Sequence, residues 1–132
     1  MFIKLYLITL PIFFGIDIVW LTLIAKNFYN KHLDYLMTPN VNWGAALLFY
    51  LLFIGGLVVF VISPALEKNS WTQALFLGIL FGLMTYATYD LTNLATVKNW
   101  PLLVTVVDLL WGMTVSASVS VASFFIAKKI GL

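Results

Sequence analysis

The chain has 132 residues, of which 63% are hydrophobic and 9% are charged, whereas a soluble domain is about 45–50% apolar and about 25% charged. One soluble core of this size could not bury so much apolar surface, so we expect a single domain whose apolar side chains face lipid. The net charge of +2 is too small for a nucleic-acid partner. The absence of cysteine excludes disulfides, thiolate catalysis and cysteine-bound metal centres.

Four apolar runs are long enough to cross a bilayer as helices, which takes about 20 residues. They cover approximately residues 2–25, 42–62, 71–95 and 102–127, and residues 26–41 are predicted to be a polar connection. The other two connections are short, so consecutive helices should be antiparallel neighbours. No run alternates apolar and polar residues with a period of two, as half-buried strands do. The predicted fold is therefore all-α, an integral membrane four-helix bundle.

The lysines indicate the direction of the helices across the membrane, because cytoplasmic loops carry an excess of positive charge. Four lysines lie on the side of the chain termini and three on the opposite side: Lys4, Lys68, Lys128 and Lys129, against Lys26, Lys31 and Lys98. The margin of one lysine predicts cytoplasmic termini. Aromatic residues near the helix ends, Tyr29 and Trp100 among them, are interpreted as interfacial anchors.

Three of the five acidic residues, Asp17, Asp90 and Asp108, lie within apolar runs. An ionised carboxylate costs at least about 2.5–3.5 kcal/mol near the centre of a bilayer. With a rise of about 1.5 Å per residue, all three lie roughly 8–12 Å below the outer boundary. No lysine lies within a run at that level. Close carboxylates without a cationic partner cannot all be ionised, so the sequence predicts either a retained proton or a bound cation.

Aromatic and amide side chains adjoin each of these aspartates in the predicted helices. On the first and fourth runs a tryptophan follows the aspartate at i+3, a spacing that places both side chains on one face, and an indole N–H can donate to a carboxylate. Asn42 and Tyr50 of the second run are further candidates. We predict an outward-facing pocket that binds a proton, a cation or another small ligand. Its residues are predicted to be Asp17, Trp20, Tyr86, Tyr89, Asp90, Asn93, Asp108 and Trp111.

Two features also have a structural interpretation. Polar side chains commonly hold membrane helices together, so the aspartates and their aromatic neighbours could form a network that only stabilises the bundle. Gly78 and Gly82 are spaced as a small-xxx-small motif, which favours close helix contact. That contact is predicted either within the bundle or between two chains of a homodimer.

Several motifs resemble those of one bacterial integral-membrane family. They are DxxW at Asp17–Trp20, YATYDLTN at Tyr86–Asn93, the pair Trp100–Pro101 and DLLWG at Asp108–Gly112. Together they resemble the family catalogued as domain of unknown function 2177, and the resemblance covers nearly the whole chain. It implies four spans and a location in the bacterial inner membrane. It implies no activity, because the family has no established one.

Three classes of function fit this sequence. Binding or transport of a proton, a cation or a small ligand is the first, and an accessory or sensor subunit with a structural polar network is the second. An intramembrane acid–base or metal-assisted enzyme acting on a lipid is the third, and it is disfavoured because no H-E-x-x-H, G-x-S-x-G or phosphate-binding glycine motif is present. No cofactor and no metal site are predicted, and the lipid bilayer is the one certain partner.

Overall fold

A computed structural model describes residues 1–132, and four long apolar helices, each able to span a membrane, account for most of the chain. The first span comprises α1 (Phe2–Trp20), a π-helical turn (Leu21–Ala25), α2 (Lys26–Leu33) and a 3₁₀ turn (Asp34–Leu36). The second comprises α3 (Trp43–Leu57), a π-helical turn (Val58–Ile62) and α4 (Ser63–Glu67). The third is α5 (Trp71–Thr96) and the fourth is α6 (Leu102–Lys129). No strand is present, and the predicted all-α membrane fold is confirmed.

Short polar segments begin and end the helices where the sequence demands a sharp turn. Asn42 and Ser70 cap α3 and α5, each accepting a hydrogen bond from a backbone N–H three residues on, at 3.1 Å. Such caps satisfy N–H groups that have no partner inside the helix. Asn69 and Asn99 adopt φ values of +51° and +61°, a conformation that asparagine tolerates better than most residues. The two connections can therefore stay short and return each helix beside the preceding one.

The first span is longer than predicted, because helical structure continues to Leu36 instead of ending near Ala25. The stretch from Lys26 is polar in composition but keeps an apolar face, on which Leu33 is buried. That residue packs with Trp100 and Val104. The predicted polar connection over residues 26–41 is thus wrong for its first eleven residues, since tertiary packing stabilises a helix there. The second and fourth spans also continue past their predicted ends, to Glu67 and Lys129.

The bundle has two halves along its long axis. The terminal half holds the chain termini and the Ser63–Ser70 turn, and the distal half holds α2 and the Val97–Pro101 link. Most large apolar side chains with no solvent exposure lie toward the terminal half. They include Leu5, Leu57, Val58, Ile62 and Val119. The terminal half therefore contains the packed core of the molecule.

Two glycines bring α5 and α6 into close contact. A Cβ atom on Gly78 would lie 2.9 Å from the Cα atom of Ala117, and one on Gly82 would overlap the carbonyl group of Gly112. Both glycines are buried within this contact. The small-xxx-small motif therefore serves packing inside the bundle, and the alternative of a homodimer through Gly78 and Gly82 is corrected, because α6 already occupies that face.

Candidate functional site

A cavity of about 480 Å³ lies between the spans in the distal half. All four spans contribute to its wall. The lining residues are Asp17, Trp20, Leu21, Tyr29, Phe49, Tyr50, Thr85, Tyr86, Tyr89, Asp90, Asp108 and Trp111. The structure thus brings the three predicted aspartates, the two predicted tryptophans and both predicted tyrosines around one space. Of the residues predicted for the pocket, Asn93 alone does not line it.

Asp90 has the least satisfied polar group of the cavity. Its side chain has 0% solvent exposure, and neither carboxylate oxygen accepts a hydrogen bond. The carboxyl group of Asp108, on the adjacent helix, faces it. Two adjoining carboxylates repel each other unless a proton or a cation lies between them. Asp90 and Asp108 therefore require either a shared proton or a bound cation between their carboxyl groups.

Asp108 differs from Asp90 because it has a hydrogen-bond donor. The Tyr29 hydroxyl group of α2 donates to its carboxylate. This bond joins the extended part of the first span to the fourth span. The donor was not predicted as a site residue, because the sequence placed Tyr29 beyond the end of the first helix and suggested an interfacial anchor. Only the continuation of the helix brings the hydroxyl group to the cavity.

Asp17, on the first span, has a different neighbour from the other two aspartates. The Tyr50 hydroxyl group of α3 lies next to its carboxyl group, and the Tyr50 ring packs against Phe13 and Phe14 with centroids 5.6 and 5.8 Å away. Tyr50 was among the further candidates from the sequence. Asn42, the other one, caps α3 instead and takes no part in the cavity.

Aromatic rings form most of the remaining wall. The indole rings of Trp20 and Trp111 stack with centroids 4.4 Å apart and an interplanar angle of 6°. Their spacing from the aspartates suggested indole N–H donation to the carboxylates. The structure shows instead that the two rings stack on each other across the first and fourth spans. The one indole N–H that donates to a side chain is that of Trp100, which bonds to Thr105 at 3.0 Å outside the cavity. Both tryptophans therefore present ring surface to the site.

Tyr86 packs closely against α6 because the residue it meets there, Gly112, has no side chain. A Cβ atom on Gly112 would lie 2.9 Å from the Cβ atom of Tyr86 and still closer to its ring. Phe53 meets the other side of this ring at a centroid distance of 6.1 Å. Gly112 was noted in the sequence only as part of the DLLWG motif. Its role is to make room for the ring on the cavity wall.

The residue absent from the cavity, Asn93, lies one turn further along α5. Its side chain adjoins the hydroxyl group of Tyr89 and so supports a residue that does line the cavity. Phe49 and Leu21 are cavity residues that the sequence analysis did not identify. Neither carried a distinguishing signal, since both are apolar residues within apolar runs.

The ionisable side chains of the cavity are acidic, apart from its tyrosines. Three carboxyl groups line it and no basic side chain does. These carboxyl groups do not converge as a set of three ligands for a single metal ion, since Asp17 lies with Tyr50 while Asp90 and Asp108 face each other. The arrangement suits a positively charged group, because the cavity offers carboxyl groups and no basic side chain.

Four apolar spans around a cavity that holds three carboxyl groups define a multi-pass membrane protein. The chain belongs to the DUF2177 family, described as a predicted membrane protein, whose sequence model matches residues 2–125. This match confirms the resemblance seen in the sequence motifs. Searches of curated proteins and of solved structures gave no significant match.

Proposed function

We propose that this protein binds a small organic cation in the distal cavity. The observation that carries the proposal is the carboxyl group of Asp90, which is fully buried, has no hydrogen-bond donor and faces a second carboxyl group. Ionisable groups inside a membrane are costly and most often mark a functional pathway or site. A cation placed beside Asp90 and Asp108 would supply the positive charge that both carboxyl groups lack.

The aromatic walls favour an organic cation. Indole and phenol rings attract ammonium groups through their π faces, worth about 2 kcal/mol or more when the site is desolvated. The cavity offers the stacked Trp20–Trp111 pair and the ring of Tyr86 beside the aspartates. Its volume of about 480 Å³ falls in the usual range of about 300–1,000 Å³ for small-molecule sites. A bare proton would need neither this volume nor these rings.

Binding is the step that this conformation supports. Below the cavity, the terminal half is filled by residues such as Leu57, Val58 and Val119 that have no exposure. Transport through one chain would require this packed half to open after the cation has bound. We therefore propose binding as the function and regard transport as a second step built on it.

The proposal is tested with tetramethylammonium, a cation without a hydrogen-bond donor. Binding to the full chain in lipid nanodiscs is measured by calorimetry. Asp90→Asn keeps the shape of the side chain and removes its charge, so we expect affinity to fall about tenfold or more, as when one partner of a buried charge pair is lost. The matched control is Asp34→Asn, since Asp34 is exposed and lies outside the cavity. Equal affinity in the wild type and the Asp90 variant, or no binding at all, would contradict the proposal.

A further inference from the structure

The cavity has a rim that reaches the outer surface of the bundle. Leu21, Phe49 and Tyr89 all line the cavity and yet are 44%, 48% and 58% exposed. They come from three different spans. The rim is therefore apolar and aromatic, while the three carboxyl groups lie behind it with 6% exposure or less.

This rim lies at the depth of the hydrocarbon layer. Phe49 is six residues from the start of α3 and Tyr89 is seven residues from the end of α5, which places both roughly 9–11 Å below the helix ends. The second span comes close to α5 and α6 through its π-helical turn, Val58–Ile62, in the terminal half. Toward the distal end Phe53 of the second span still packs against Tyr86 of the third, with ring centroids 6.1 Å apart. The exposed rim residues lie about one helical turn beyond this contact, on the first three spans. The opening therefore faces lipid.

The distal end of the cavity is covered by the end of the first span. Tyr29 donates to Asp108, and Leu33 packs with Trp100 and Val104. Further along, the Tyr35 hydroxyl group donates to the carbonyl oxygen of Asn99 at 2.5 Å. These contacts tie the first span to the connection between α5 and α6. The end of the first span thus blocks the cavity on the aqueous side, whereas the apolar rim leaves it open to a ligand that approaches from the bilayer.

We infer that the ligand is an amphiphilic amine, an inference that rests on the proposed function. Its ammonium group lies beside Asp90 and Asp108, and its alkyl or aryl tail passes over the exposed rim into the bilayer. The ammonium group of the ligand matches the carboxyl groups inside the cavity, and its apolar tail matches the apolar rim. Because the tail stays in lipid, the cavity volume sets no limit on its length.

A homologous series of alkyltrimethylammonium ions, from methyl to octadecyl and below micellar concentrations, tests this inference. Binding to the full chain in nanodiscs is measured by calorimetry, and nanodiscs without protein serve as the blank for partition into lipid. Each methylene that remains in the bilayer should tighten the dissociation constant, referred to the aqueous concentration, by about fourfold. The increase should continue through octadecyl, whose ion is larger than the cavity.

The outcomes separate the inference from the proposed function. If affinity stops rising once the tail exceeds what about 480 Å³ can hold, the tail lies inside the cavity; the inference is then overturned and cation binding stands. If tetramethylammonium and all of its homologues fail to bind, both are overturned.

A cross-link across the rim gives a second measurement. The chain has no cysteine, so a Phe49→Cys/Tyr89→Cys variant reacts with a short bismaleimide only at the rim. Compared with the same variant before cross-linking, the dodecyl ion should bind at least about tenfold more weakly, because its tail has lost the route into lipid, and tetramethylammonium should bind equally well. Equal effects on the two ions would contradict the inference.

Discussion

The terminal and distal halves of the same four spans fill the space between the helices in opposite ways. In the terminal half, apolar side chains such as Leu57 and Val119 are fully buried against one another. In the distal half, the space holds three carboxyl groups and a cavity. Between membrane helices, stability comes from packing and interhelical hydrogen bonds, because lipid is as apolar as the helix surfaces. The comparison teaches that a well-packed half can stabilise a bundle whose other half keeps costly groups and empty volume.

The largest effect is expected where the two halves meet, at the contact of α5 with α6. Gly82→Ala would place a methyl group against the Gly112 carbonyl and 2.7 Å from the Ser116 hydroxyl oxygen. Backbone atoms cannot yield as a flexible side chain does, so we expect a loss of about 3 kcal/mol, at the upper end of overpacking costs. Thermal unfolding in detergent measures it.

Gly15→Ala is the matched control for this substitution. A Cβ atom at Gly15 meets nothing within 4 Å, and alanine favours a helix over glycine. Its stability should be unchanged or slightly higher. Comparable losses at Gly82 and Gly15 would show that the close approach of the two helices does not matter.

The next effect compares truncations in the two halves. Leu57→Ala removes a side chain with no exposure in the packed half and should cost about 2 kcal/mol, because in lipid the packing part of the usual cost remains while the water-transfer part is absent. Phe49→Ala removes a larger side chain, but Phe49 is 48% exposed beside existing empty space. Its cost should be below about 1 kcal/mol. Unfolding experiments that rank Phe49 above Leu57 would reverse the assignment of the two halves.

The smallest effect compares one hydroxyl group in each half. Tyr29→Phe removes the donor to the Asp108 carboxyl group and should lower stability by about 1 kcal/mol, the usual net contribution of a hydrogen bond. Tyr6→Phe removes a bond to the Leu51 carbonyl oxygen, 2.8 Å long, and should cost about 0.5 kcal/mol. Paired melting curves in one detergent check the order. A greater loss for Tyr6 would indicate that Asp108 does not depend on Tyr29.

Hydropathy and helical rise were sufficient to predict the fold and the level of the aspartates. Asp17, Asp90 and Asp108 each stood out because a carboxyl group within an apolar run is rare, and the distance of each from its helix end placed them together. The distance of a residue from its helix end could not show which side chain it contacts on another helix. Trp20 and Trp111 were expected to serve the aspartates, yet they stack on each other, since spacing within one helix carries no information about the helix opposite.

The glycine motif and Tyr29 show two further limits of the sequence. Gly78 and Gly82 predicted a close contact but not whether the neighbour belongs to the same chain, and only the packed bundle identifies α6. Tyr29 was missed because the segment after Ala25 has the composition of a loop, although Leu33 packs with Trp100 and stabilises it as a helix. Stabilisation by distant residues leaves no local pattern.

The π-helical turn at Leu21–Ala25 determines which way the end of the first span faces. Tyr29 follows Asp17 by twelve positions, and at about 100° per residue an uninterrupted α-helix would point the two side chains roughly 120° apart. A wide turn takes up one surplus residue, and eleven effective steps leave them only about 20° apart. The one surplus residue in the backbone thus rotates the following helix, so that Tyr29 faces Asp108. No feature of the hydropathy pattern indicates this rotation.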